Sequence, residues 1–446
     1  MDRQLFVNSA DHAVVALTPD ADAGATGTRY RRSVGTAGVL LLVVNSLVGA
    51  GIFALPAVLH EAVGQFAPWL LLIGGLLVAT IVICFAELTS LTDRSGGPQR
   101  FVTDAFGRFP GFQVGWLFYA ARVVSQGGNA TVMMAYAAVA WPLLGEPWPR
   151  ALGIIVVLGG LTIANVIGIK RVIAVLAAMS LFKFLPLFVL IGAGLGVAAT
   201  PGPLVLPQFS AVEGVAIATL YAFVGFENAT VPAGEARNPR QSMPRALLLG
   251  LALVTLLYFA LQWVYGLSPV AGTASEAPLV DLARLLGGDT GAWLIAATVA
   301  VSVLANLTAG QTSASRITSA MADDRLLPGW FGRVSARFGT PANSILFFGA
   351  LAILFAITGS FVFLAVVSTL ARLVAYVASI ASLPRLRRAA GQSWLGGPAA
   401  LCAPIALALS LFAASQSSWE QWRALALFVV VGTLLFALAR REIRGA

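Results

Sequence analysis

Charge is scarce in this chain. Asp, Glu, Lys and Arg together make up 11% of it, against roughly 25% in a soluble globular domain. That shortage excludes a water-soluble fold for most of the chain, whose residues must meet lipid or other buried helices. Cysteine and histidine are rarer still, at two residues each. Cys84 and Cys402 both sit in apolar runs, so neither a disulfide framework nor a thiolate metal site follows from them. His12 and His60 have no companion at metal-ligand or catalytic-triad spacing. Without a nucleophile set or a metal cluster the chain is not expected to be an enzyme, and no cofactor or metal is expected. The short alternating segments of a transmembrane barrel are missing too. Residues 1–34 begin with a polar stretch carrying Asp2, Asp11, Asp20 and Asp22; they read as a disordered cytoplasmic tail and not as a signal peptide.

What the chain has in abundance is apolar sequence, 58% of its residues. It comes in long runs such as Ala37–Leu59, Phe66–Leu91, Ala246–Leu267 and Ala424–Ala439. Runs of roughly 20 residues match a hydrocarbon core of about 30 Å at the helical rise. An all-α membrane bundle is therefore the expected fold class, with twelve spans near 37–60, 67–92, 112–142, 149–168, 171–198, 211–233, 244–268, 290–320, 343–358, 361–383, 397–414 and 421–439. With the N-terminus inside, 22 of the 28 basic residues fall in cytoplasmic segments, among them Arg29, Arg31, Arg32, Lys170, Arg171 and Arg385. Such an excess orients a membrane protein with its basic loops inside. Both termini are expected in the cytoplasm of an inner-membrane protein. The net charge of +9 then serves topology, and nucleic acid is not an expected partner; lipid is.

Two spans carry interruptions. Span 1 reads Val44-Asn-Ser-Leu-Val-Gly-Ala-Gly-Ile-Phe-Ala-Leu-Pro56, with Gly49 and Gly51 at mid-span. Span 6 reads Tyr221-Ala-Phe-Val-Gly-Phe-Glu-Asn-Ala-Thr-Val-Pro232, with Gly225, a carboxylate and a proline. Glycine and proline let such stretches unwind. Unwound backbone at membrane depth is tolerated where it lines a cavity or is buried in protein. Freed amides suit a carboxylate and freed carbonyls suit an ammonium group. Small-residue helix packing accounts equally well for span 1 alone. Matched breaks at the starts of two five-helix units, 35–198 and 211–388, favour an inverted repeat. Residues 396–440 add two helices, and 441–446 form a cytoplasmic tail.

These motifs resemble those of the amino acid–polyamine–organocation superfamily of permeases, whose fold is that of the bacterial leucine transporter. Gly49-Ala-Gly-Ile-Phe53 resembles the family's first-span glycine signature. Ala86-Glu-Leu-Thr-Ser90 with Ser95-Gly-Gly-Pro98, the loop Gly234-Glu-Ala-Arg-Asn-Pro239 with Pro244, and Ser315-Arg-Ile-Thr-Ser-Ala-Met-Ala-Asp-Asp324 with Leu327-Pro328 are similar to family patterns in the same order. The resemblance implies five plus five inverted helices with two extra ones, and a substrate site between the two breaks. It implies that the Ala50 and Gly51 amides hold a substrate carboxylate, with Gly49 in the same loop. The carbonyls of Leu47, Tyr221 and Val224 would hold the amine, beside Gly225. Phe223 and Phe226 are expected at the gate and side-chain pocket, and Gln126 near them. Ala50 stands where the family often has Ser or Thr, so one hydroxyl donor is missing.

Five ionisable residues lie within spans: Glu87, Arg122, Lys183, Glu227 and Arg372. A charge at that depth costs about 2.5–3.5 kcal/mol or more, and such residues usually face a cavity or a partner. Glu87 reads as a loop-anchoring or solvated carboxylate, and Arg372 as a pairing or carbonyl-capping residue. Lys183 is too deep to snorkel and suits proton handling; the resemblance implies that it takes the place of a sodium ion against the span-1 break. Glu227 is expected to pair with Arg122, with proton sensing or a substrate amine as alternatives for it. For Arg122 the alternative is selection of an anionic side chain. The expected function is sodium-independent transport of neutral L-amino acids by alternating access, proton-coupled or by exchange, in a monomer or homodimer. Polyamine or cationic amino acid antiport is the second reading.

Overall fold

The computed structural model describes residues 36–91, 97–168, 183–196, 200, 204–230, 239–273, 275–393 and 396–445. The expected tail (1–34), Ser95 and Gly96 of the second motif, Lys170 and Arg171 at the head of span 5, and the loop 234–238 lie outside them. Among the described residues the regular structure is helical throughout. Eight helical stretches among the described residues are long and apolar enough to cross a membrane, and Thr36–Leu47, Phe184–Leu195 and Ala342–Thr358 are shorter apolar helices. The chain is a multi-pass membrane protein.

The short first helix has a local cause. Helix α1 (Thr36–Leu47) stops and α2 (Gly51–Val63) resumes three residues later. Between them Gly49 N turns back to Leu47 O at 3.0 Å, and the Ala50 carbonyl starts the new helix by accepting from Phe53 and Ala54. The second interruption follows α8 (Phe209–Tyr221). There Phe223 N reaches Leu220 O at 2.9 Å, Gly225 takes φ +116, and a short 3-10 turn runs over Phe226–Thr230. A Cβ on Gly225 would stand 2.5 Å from the Ser46 carbonyl oxygen. Glycine is therefore required twice over, by the left-handed φ and by the closeness of α1.

Around the breaks stand α3 (Ala67–Leu91), α4 (Gly97–Phe106), α5 (Arg108–Ala137), α6 (Pro147–Ile167) and α7 (Phe184–Leu195). After the second break come α9 (Pro239–Gly266), α10 (Pro278–Asp323), α11 (Ala342–Thr358), α12 (Phe361–Ala389), α13 (Pro398–Ser415) and α14 (Trp419–Gly445). Helix α10 bends where Gly287 and Gly288 leave helical geometry. The interior is built from α5, which is buried along almost all its length, and from α12 and α10 packed on it. Helix α9 packs on α3 and α1, α1 meets the Phe226–Thr230 turn, and α2 meets α8. Each half of the first broken helix therefore touches one half of the second.

Candidate functional site

The first break presents two kinds of backbone group. A helix leaves its first amides without intrahelical acceptors, and in α2 these are the amides at the Ala50–Gly51 start, buried inside the bundle. The carbonyls just before the break are engaged. Lys183 Nζ donates to Val48 O and, at 3.1 Å, to Asn45 Oδ1. Tyr258 Oη donates to Leu47 O at 3.0 Å. Leu47 O, the carbonyl expected at a substrate amine, thus already accepts from α9. Beyond the break, Gln262 of α9 donates to Pro56 O at 3.1 Å.

Tyr221 links the two breaks. Its ring lies 3.3 Å from where a Gly51 Cβ would stand. Its hydroxyl is 3.4 Å from Ser125 Oγ on α5, and Phe361 of α12 meets the ring edge-on with centroids 5.8 Å apart. Gln126, next to Ser125, turns to α10 and donates to Leu307 O at 2.7 Å. The two expected gate phenylalanines sit on other faces. Phe223 packs on Tyr258, and Phe226 lies between Phe85 and Tyr376; both are fully buried. Between the breaks and α9 a cavity of about 10 Å³ is lined by Gly51, Pro56, Ala222, Tyr258 and Gln262 among others, room for a single water molecule. That volume is far smaller than an amino acid.

The expected Glu227–Arg122 pair does not form. Glu227 binds Arg372 of α12 at 3.0 Å, Tyr376 Oη at 2.7 Å and the Gly225 amide at 2.9 Å. The cause is rotation along the 3-10 turn, where successive residues point about 120° apart. Glu227 faces α12 and its neighbour Asn228 faces α5. Arg122 accordingly donates to Asn228 Oδ1 and to Ser313 Oγ of α10. Glu87 accepts from Arg387 Nε near the end of α12, and Arg387 also holds Ser393 O at 2.9 Å, the loop-anchoring arrangement. Among the described residues no group of three His, Cys, Asp or Glu could hold a metal ion.

Sequence reading missed Tyr258, Ser125, Asn228, Ser313 and Tyr376. Asn45 and Asn228 carried a signal, as amides inside the two interrupted motifs. The others are hydroxyls on helices whose rotation only packing decides.

The amino acid permease family profile matches residues 34–438. The chain is 28% identical over 342 residues to the polyamine transporter PUT1 of Oryza sativa subsp. japonica, covering 74% of this chain and 62% of the rice protein. It thus spans less than two thirds of that relative's length. It is 29% identical over 344 residues to the serine/threonine exchanger SteT of Bacillus subtilis, covering 73% and 76%. It is 30% identical over 334 residues to the uncharacterized transporter Mb2022c of Mycobacterium bovis, covering 72% of each.

Proposed function

The chain belongs to the amino acid permease family, and from that premise we propose that it is a secondary active transporter carrying amino acids across the cytoplasmic membrane by alternating access, without sodium. The observation that carries this reading is the meeting of two interrupted helices, with the amides that open α2 beneath the Tyr221 ring. Those amides are donors for a carboxylate at a half-helix N-terminus. The Tyr221 and Val224 carbonyls of the second break are acceptors for the amine. Neutral L-amino acids are the class that these head-group contacts alone satisfy. The architecture proposed with it is twelve spans, as two inverted five-helix repeats plus two helices, with both termini cytoplasmic.

Lys183 supports the sodium-free reading. Its ammonium bridges Val48 O and Asn45 Oδ1, so a cation built into the chain braces the end of α1. Gain and loss of its proton would couple transport to protons, directly or within an exchange cycle. The name of the rice relative favours polyamines as a second reading. A polyamine needs carboxylates, and among the described residues the one beside the breaks, Glu227, is already held by Arg372, Tyr376 and the Gly225 amide.

Uptake into proteoliposomes tests this. The purified full chain is presented with labelled amino acids and putrescine, with and without sodium and a pH gradient. Amino acid uptake or exchange indifferent to sodium is expected. Strict sodium dependence, or transport of putrescine alone, would overturn it.

A further inference from the structure

Among the described residues, the charges near the breaks do not balance. Arg122, Lys183 and Arg372 are set against Glu227, and Glu227 is saturated by Arg372, Tyr376 and a backbone amide. The Glu87–Arg387 pair neutralises itself elsewhere. Lys183 rests on a carbonyl and an amide oxygen at α1. Arg122 rests on the amide oxygen of Asn228 and the hydroxyl of Ser313, both neutral. A guanidinium has five donors in a planar fork that fits a carboxylate with two parallel bonds. Arg122 is partly buried. Its hydrogen bonds go to neutral groups while the Glu227 charge acts on it without direct contact, so a ligand that brings an anion to the fork gains a direct pairing that the protein leaves unmade.

The position of Arg122 says which ligand. It lies three residues before Ser125 on α5, about 4.5 Å along the helix axis. Ser125 faces the hydroxyl of Tyr221, whose ring covers Gly51. The Arg122 backbone is therefore within one helical turn of Ser125, and its guanidinium is held between α10 and the second break. An amino acid seated by its head at Gly51 has its side chain among these elements.

We propose that Arg122 is the side-chain subsite of the transported amino acid and selects substrates whose side chain ends in a carboxylate. This rests on the amino acid reading above and extends it from the head group to the side chain. The same surplus of positive charge disfavours polyamines and cationic amino acids. Asn228 and Ser313 hold the fork in position while the site is empty, and a substrate carboxylate displaces or joins them.

The test is substrate competition in proteoliposomes holding the full chain. With wild-type protein, aspartate or glutamate should outcompete asparagine or glutamine by about tenfold or more, and arginine and putrescine should compete least. In Arg122→Gln the ratio of acidic to amide substrate uptake should fall by a similar factor, and Arg122→Lys, which keeps the charge and loses the fork, should fall between. An arginine that merely fastened α5 to α10 would lower uptake of every substrate alike and leave the ratio unmoved, which would refute the proposal. So would uptake that requires chloride, since the guanidinium would then be holding an inorganic anion. If wild-type protein carries neutral amino acids and ignores acidic ones, this inference fails and the amino acid reading stands. If it carries no amino acid at all, both fail. The wild-type arm decides even if the variants do not fold.

Discussion

The two interruptions solve the same problem in opposite ways. The second closes on itself: Gly225 gives its amide to Glu227, and Glu227 is fastened to α12 by Arg372 and Tyr376. The first leaves its new helix start open and is braced from outside, by Lys183 on one carbonyl and Tyr258 on another. A break that supplies its own carboxylate is a joint. A break that leaves amides over is a binding surface. On the function proposed above, that contrast gives the carboxylate to the first break, while the second offers carbonyls for the amine and sets Tyr221 against Gly51.

The largest effect should come from opening the joint. Arg372→Gln strands a buried carboxylate, which costs about 3–5 kcal/mol, seen as a lowered midpoint of unfolding in detergent. Adding Glu227→Gln should recover much of that loss, because residues in one network do not act additively. Simple addition of the two losses would show that the carboxylate is not held by the arginine. Next in size is Gly225→Ala, expected to destabilise by about 1–3 kcal/mol from its φ and the Ser46 carbonyl. On the binding surface the losses should fall on transport. Gly51→Val places branched carbons against the Tyr221 ring and over the amides, so substrate affinity should drop about tenfold or more, roughly 1.4 kcal/mol, with expression retained. Normal affinity would remove the site from the first break. Lys183→Ala should flatten the pH dependence of uptake, and a profile unchanged from wild type would end its role in coupling. The smallest change is expected for Gly49→Ala. Nothing lies within 4 Å of a Cβ there, so its stability should stay within about 0.5 kcal/mol of wild type.

Both breaks and Lys183 were legible because their signals are local. Glycine, proline or a lone charge in an apolar run is visible in a dozen residues. The partner of Glu227 was not. Arg372 is 145 positions away, and the choice between it and Arg122 turns on which way one residue of a 3-10 turn faces. Arg122 and Arg372 look alike as sequence; only the packing of α5 and α12 around the turn separates a paired cation from one resting on neutral groups. The partner of Leu47 O is a case of the same kind, since it is a tyrosine hydroxyl 211 positions on. Hydropathy shows how many apolar stretches there are, whereas the cross-links between them are a property of their rotation.

Helix α9 gives one neighbouring element a hand on each side of the first break, with Tyr258 on Leu47 O and Gln262 on Pro56 O. A fracture splinted on both sides resists flexing at the fracture. A tilt of α2 should therefore pull on α1 through α9, and the three should tend to swing together, as a lever, against the second break. Cutting either tie would turn that lever into a loose hinge. On the alternating access proposed above, the protein would still open, but opening on one face would no longer enforce closing on the other, and the carrier would become a leak.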